Sequence, residues 1–127
     1  MKNTGFGFQE LDVYKRLYAV MLNVMTKVIP KLPANEKFSL SDQMRRSCKA
    51  PLAILAEGYA KKHYRKDWLK YINDAIGECN EMVTHLSISR DLYFENSGRI
   101  LINELIGEYA VCSKQLYRLG ESWSQKK

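Results

Sequence analysis

The sequence is poor in the residues that carry most enzyme chemistry. Its 127 residues hold two histidines, His63 and His85, and three cysteines. There is no GxSxG elbow, no phosphate-binding P-loop and no glycine-rich turn following a strand. Neither histidine has a glutamate three residues before it, so the Glu-x-x-His pairs of di-iron bundles are missing. Cys48, Cys79 and Cys112 are odd in number and far apart, without a CxxC pair. A disulfide framework or a zinc site calls for closer or paired spacing, and the plain reading is reduced core thiols of a cytoplasmic protein. No apolar run approaches the roughly 20 residues that span a bilayer. The longest, Leu17 to Ile29, is interrupted by Asn23, Thr26 and Lys27. The N-terminus lacks the basic start and apolar stretch of a signal peptide. The expectations are a non-enzymatic protein with no cofactor, no metal, no catalytic residue and no membrane partner.

What is present is helical periodicity. With 46% hydrophobic residues, the chain is expected to fold as one domain over residues 1–127, with short flexible ends at about 1–7 and 124–127. Tyr14, Leu17, Tyr18, Met21, Met25, Val28 and Ile29 recur at steps of three and four, predicting a first helix over about Gln9 to Ile29 that Pro30 and Pro33 stop. Lys31 to Lys37 reads as a loop. Ser39-Leu40-Ser41-Asp42 resembles a capping box and opens a second helix. Its seam is Leu40, Met44, Cys48, Leu52, Leu55 and Tyr59, and Pro51 is expected to kink it.

A third helix is predicted over about Arg65 to Asp91. Its stripe is Trp68, Leu69, Ile72, Ala75, Ile76, Cys79, Met82, Val83 and Leu86. Gly77, mid-helix, costs about 1 kcal/mol against alanine and is expected to let a neighbouring helix approach. After a break at Glu95-Asn96-Ser97-Gly98, a fourth helix runs from about Arg99 to Ser124, with Ile102, Leu105, Ile106, Tyr109, Cys112, Leu116, Leu119 and Trp123 as its seam. Long amphipathic helices joined by short connections predict an all-α, antiparallel up-down-up-down four-helix bundle.

Charge is concentrated. The chain carries 20 Lys and Arg against 14 Asp and Glu, a net of +6. Between Arg45 and Lys70 lie Arg45, Arg46, Lys49, Lys61, Lys62, Arg65, Lys66 and Lys70 against Glu57 and Asp67, eight basic against two acidic, which is again +6. Tyr59, Tyr64, Trp68 and Tyr71 interleave. Basic side chains neutralise phosphates and release counterions, and aromatic rings stack on unpaired bases. The segment is therefore read either as a nucleic-acid surface or as a solvated, protein-contacting face with its aromatics in the core. Glu57, Glu78, Glu81, Glu104 and Glu108 could do acid–base work only if buried together; the plainer reading is that they offset basic neighbours. Glu81 and His85, four apart, read as an ordinary helix-face pair.

Gln43-Met44-Arg45-Arg46-Ser47-Cys48, Ala56-Glu57-Gly58 and Ala75-Ile76-Gly77 with Glu81 resemble the signature of the four-helix-bundle proteins encoded in intervening sequences of bacterial 23S rRNA genes. The likeness runs from about Phe8 to Trp123, including the Phe-Gln-Glu-Leu-Asp-Val-Tyr opening and the Tyr-Arg-Leu-Gly-Glu-Ser-Trp close. Ile54 stands where the family usually has asparagine, Pro51 one place early, and Glu78 in place of a serine. The accessory protein Avd of diversity-generating retroelements is a similar relative. The resemblance implies no enzymatic activity, a homopentamer, nucleic-acid binding (RNA or DNA) through basic faces, and, as in Avd, a reverse transcriptase as candidate partner. Lys61, Lys62, Arg65, Lys66, Lys70 and Tyr64 are the candidate phosphate and base contacts. Arg45, Arg46, Lys49 and Glu57 are candidates for assembly or binding. The alternative is a protein-interaction scaffold that touches no nucleic acid.

Overall fold

The computed structural model describes residues 7–125 of the chain, with side chains described to Ser122. The side chain of Trp123, expected in the fourth seam, and most of the two expected flexible ends lie outside what is described. Four long helices account for most of it: α1 (Asp12–Asn23), α2 (Leu40–Tyr59), α3 (Arg65–Tyr93) and α4 (Ser97–Gln125). No strand occurs among the described residues. α3 packs along α2 and α4, and α1 packs along the same two helices.

The first helix departs from the single rod its periodicity predicts. Phe8–Glu10 is a short 3-10 turn, and Leu11 is extended (ψ 133°), so α1 starts only at Asp12. After Asn23 the backbone widens into a π-helical stretch, Val24–Val28, and then tightens into a 3-10 turn, Ile29–Lys31. Pro30 explains the loosening. It has no N–H for the carbonyl four residues back, and its ring crowds that carbonyl. The Thr26 hydroxyl also donates to the Leu22 carbonyl at 2.7 Å, competing with the regular ladder.

The start of α2 differs from the capping box. Ser39 makes no side-chain cap bond. Glu36 does the work instead: its carboxylate accepts from the Leu40 N–H at 3.3 Å and from the Ser39 hydroxyl at 2.7 Å, and the Tyr93 hydroxyl also donates to it. These donors, Ser39 foremost, hold the Glu36 carboxyl below its usual range. α2 then runs unbroken through Pro51, which is buried. α3 continues two residues past Asp91, and α4 begins at Ser97, so the break narrows to Phe94–Asn96. Asn96 makes it possible with φ 53°, a left-handed conformation that asparagine tolerates better than most.

One core runs through the molecule. Leu17, Met44, Leu55, Trp68, Met82, Leu86, Ile102 and Leu116 are fully or almost fully buried. Each such side chain contributes about 1.5–3 kcal/mol of hydrophobic stabilisation. Tyr18 does not belong to it. The α1 seam is Val13, Leu17, Val20 and Val24, and Tyr18 is 46% exposed on the flank.

The glycines divide into two kinds. Gly58 is buried, and a Cβ there would lie 2.5 Å from the Tyr71 Cβ, so it sets the approach of α2 to α3. Gly77 is exposed, with nothing within 4 Å of a built Cβ, so it does not serve the close helix approach expected of it. Gly107 is equally open. Each of these two costs about 1 kcal/mol relative to alanine with no return within the fold.

Cys48, Cys79 and Cys112 are free and buried. Burial raises their thiols to about 11, 12 and 12 respectively, so all three stay protonated and unreactive at neutral pH. Tyr109, fully buried near them, has a hydroxyl with no hydrogen-bond partner among the described residues. Desolvating that group without a bond is unfavourable. Tyr109→Phe is therefore expected to stabilise the protein by about 1 kcal/mol, read as a higher urea midpoint at unchanged slope.

Candidate nucleic-acid interface

α2 ends in a turn built by backbone bonds from Lys61 N–H to the Gly58 carbonyl (2.8 Å) and from Tyr64 N–H to the Lys61 carbonyl (2.9 Å). Tyr64 is extended, and its carbonyl receives the Trp68 N–H at 2.9 Å, starting α3. Trp68 is fully buried and pins this first turn to the core. With Trp68 and Ile72 inward, helical geometry turns Lys66 and Lys70 outward. Lys61, His63, Tyr64, Arg65, Lys66 and Lys70 are all exposed, Tyr64 at 68%.

The cations differ in what they already hold. Lys70 pairs with Asp74 at 2.8 Å, and that bond raises its pKa. The Lys62 ammonium lies 4.1 Å from the centre of the Tyr59 ring. Lys61, Arg65 and Lys66 form no ion pair among the described residues. Arg65 and Lys66 also occupy the first turn of α3, where the helix dipole is positive and disfavours cations by about 0.3–1 kcal/mol each. An arriving phosphate relieves both repulsions.

The remaining candidates are not part of this cluster. Arg45 is half-buried beside Asp42 at 3.7 Å, while Arg46 and Lys49 are exposed on α2. Glu57 accepts from the Tyr71 hydroxyl at 3.2 Å. It lies eleven and twelve positions from Arg46 and Arg45 on the same helix, roughly 17 Å away at 1.5 Å per residue. An Arg–Glu57 pair within one chain is therefore not formed.

The carboxylates do not make one site either. Glu108 pairs with Arg16 at 2.5 Å, and Ser47 donates to Glu81 at 3.1 Å. Burial first, then the charge of Glu81, raises the Glu78 carboxyl. Among the described residues no group of three or more His, Cys, Asp or Glu could hold a metal ion, and no helix is long and apolar enough to cross a membrane.

His85 has a buried Nε2 without a hydrogen-bond partner among the described residues. Burial lowers its pKa, opposed by Glu81. The folded state thus favours neutral His85, while the unfolded state takes up a proton near pH 6.5. This contribution is complete above that pH and is lost as pH falls toward the lowered folded value. The stability difference between wild type and His85→Gln is expected to shrink from pH 7.5 to 5.5, measured by urea unfolding at both.

An open pocket of about 420 Å³ lies between Leu11, Val13 and Leu119, but Glu10, Asp12 and Arg118 give it mixed charge unsuited to phosphate. Sequence reasoning missed the Glu36 cap and the Arg16–Glu108 pair. The latter joins residues 92 apart, for which no local signal exists.

The arrangement defines an all-α four-helix protein with a cationic turn at one inter-helix connection. The family model described as 23S rRNA-intervening sequence protein matches residues 9–118, and the chain belongs to that family. Comparison with curated proteins and with solved structures gives no match.

Proposed function

We propose that this chain is a non-catalytic nucleic-acid-binding accessory protein, working in the cytoplasm as a homo-oligomer, with RNA or DNA phosphates held at the turn from Lys61 to Lys70. The observation that carries the reading is the uncommitted cation set Lys61, Arg65 and Lys66 around an exposed Tyr64. Phosphates would meet the cations, and an unpaired base would stack on Tyr64. The helices are read as antiparallel, up-down-up-down. Supporting this, Ser47 meets Glu81 while Gly58 meets Tyr71, and Arg90 meets Asn103 while Gly120 lies beside Ile72. A homopentameric ring and an Avd-like partnership with a retroelement reverse transcriptase and its RNA are the finer form of the proposal, supported by the resemblance of the signature segments.

The test is binding of the purified protein to structured RNA and to duplex DNA over a salt series. Binding that weakens steeply with salt is expected. No binding of either at low salt would overturn the reading.

Phe38, 87% exposed, favours the second reading, a protein-interaction scaffold. Under it, pull-down from the host recovers a protein partner whose capture survives nuclease treatment.

A further inference from the structure

Gly107 sits mid-helix on α4 with open space where a side chain would be. Ile100, Glu104, Gly107 and Val111 follow at steps of four, three and four, so they share one outward face. Ile100 and Val111 are exposed apolar side chains on either side of that dent. The fold itself gives the glycine no purpose, since no neighbouring helix approaches it.

We propose that this α4 face receives the α1 ridge of Tyr18 and Leu22 from a second copy of the chain, making a head-to-tail contact. The proposal rests on the homo-oligomer reading and assigns its surfaces. Three observations select the occupant. First, a dent is filled by a ridge, and Tyr18 and Leu22 supply two adjacent apolar side chains; α4 paired antiparallel with itself would offer Gly107 only Val111, and that contact would survive Leu22→Glu. Second, Lys15, Tyr18 and Leu22 share an outward face of α1, and Tyr18 and Leu22 are both about half exposed. Third, charge matches: Lys15 and Glu104 are exposed and form no ion pair among the described residues. Ile88 and Leu92 of α3 form another exposed ridge. The arginines beside it, Arg90 and Arg99, are already committed to Asp91, Asn103 and the Arg90 carbonyl, leaving no free cation for Glu104. A head-to-tail contact uses two different surfaces per chain and closes into a ring where the rotation permits.

Complementation tests this directly by sedimentation velocity. Leu22→Glu spoils the ridge and Gly107→Leu fills the dent; both sites are exposed, and unchanged helical circular dichroism spectra verify folding. Each variant alone is expected to associate roughly tenfold or more weakly than wild type. Mixed in equal amounts they should form a one-to-one dimer, because one variant keeps a sound ridge and the other a sound dent. Gly77→Ala serves as control and should assemble as wild type. Gly107→Ala should raise the melting temperature of the single chain by about 4 °C while weakening association. Assembly that persists in both variants, or a mixture that remains monomeric, overturns the surface assignment alone. A wild-type protein that is monomeric at micromolar concentration overturns the homo-oligomer reading as well.

Discussion

Replacing Lys61, Lys62, Arg65 and Lys66 together by glutamate is expected to weaken binding to structured RNA by about 100- to 1,000-fold at low salt. Each phosphate contact contributes about 0.7–0.9 to the slope of log affinity against log salt, so losing four should flatten that slope by about three. The loss should be similar across sequences, since phosphate contacts position a nucleic acid without reading bases. Tyr64→Ala should separate from it, weakening unpaired RNA more than duplex by roughly 1–3 kcal/mol per stacked base with little change in salt slope. Fluorescence anisotropy over a salt series reads both. The same substitutions should not lower thermal stability appreciably: Lys61, Arg65 and Lys66 are exposed around a turn anchored by Trp68, and relief of the α3 dipole repulsion offsets the lost Lys62–Tyr59 contact. A quadruple variant that binds as wild type would move the interface elsewhere on the protein.

Gly58→Ala is expected to destabilise the fold by about 2 kcal/mol, a net of overpacking against the helix-propensity gain. The new Cβ would meet the Tyr71 Cβ at 2.5 Å, a clash no rotamer change relieves because Cβ atoms are fixed to the backbone. α2 and α3 must separate, and the Tyr71 hydroxyl must leave Glu57. The same substitution at Gly77 should stabilise by about 1 kcal/mol, since only the propensity term remains. Urea unfolding of the two variants should therefore move in opposite directions. Equal shifts would show that the α2–α3 approach at Gly58 can relax.

Gly58 and Gly77 also show what was legible beforehand. Both are glycines in amphipathic helices, but Gly58 follows Leu55 by three and lies on the buried seam, whereas Gly77 stands two places from Ala75 and Cys79, on the far side from theirs. That difference could have been counted from the seam; the close approach of Tyr71 to Gly58 could not. Existence and extent of α2, α3 and α4 were readable because their apolar steps are long and uninterrupted. α1 was harder, because the effect of Pro30 reaches back a full turn and a half and widens the helix from Val24. Tyr18 fits the helical step as well as Leu17, yet the seam passes through Val20 and Val24. The α2 cap was misread for a related reason: Ser39 has the right chemistry, but its hydroxyl donates to Glu36, whose carboxylate is the stronger acceptor and takes the Leu40 N–H instead.

For the cationic turn, sequence named the residues and the structure sorted them. Lys61, Arg65 and Lys66 remain uncommitted, Lys70 is held by Asp74, and Arg45 by Asp42. The separation of Glu57 from Arg45 and Arg46 follows from helix rise and could have been counted from the numbering.

The Arg16–Glu108 pair bears on how the chain folds as well as on how it stands. Contacts of α2 with α3, and of α3 with α4, join neighbours along the chain through short turns. Such hairpins close with little loop entropy and form early. The docking of α1 on α4 bridges 92 positions, the longest reach of these helix pairings. It therefore adds most to the contact order and slows folding most, while α1 keeps a nearer partner in α2.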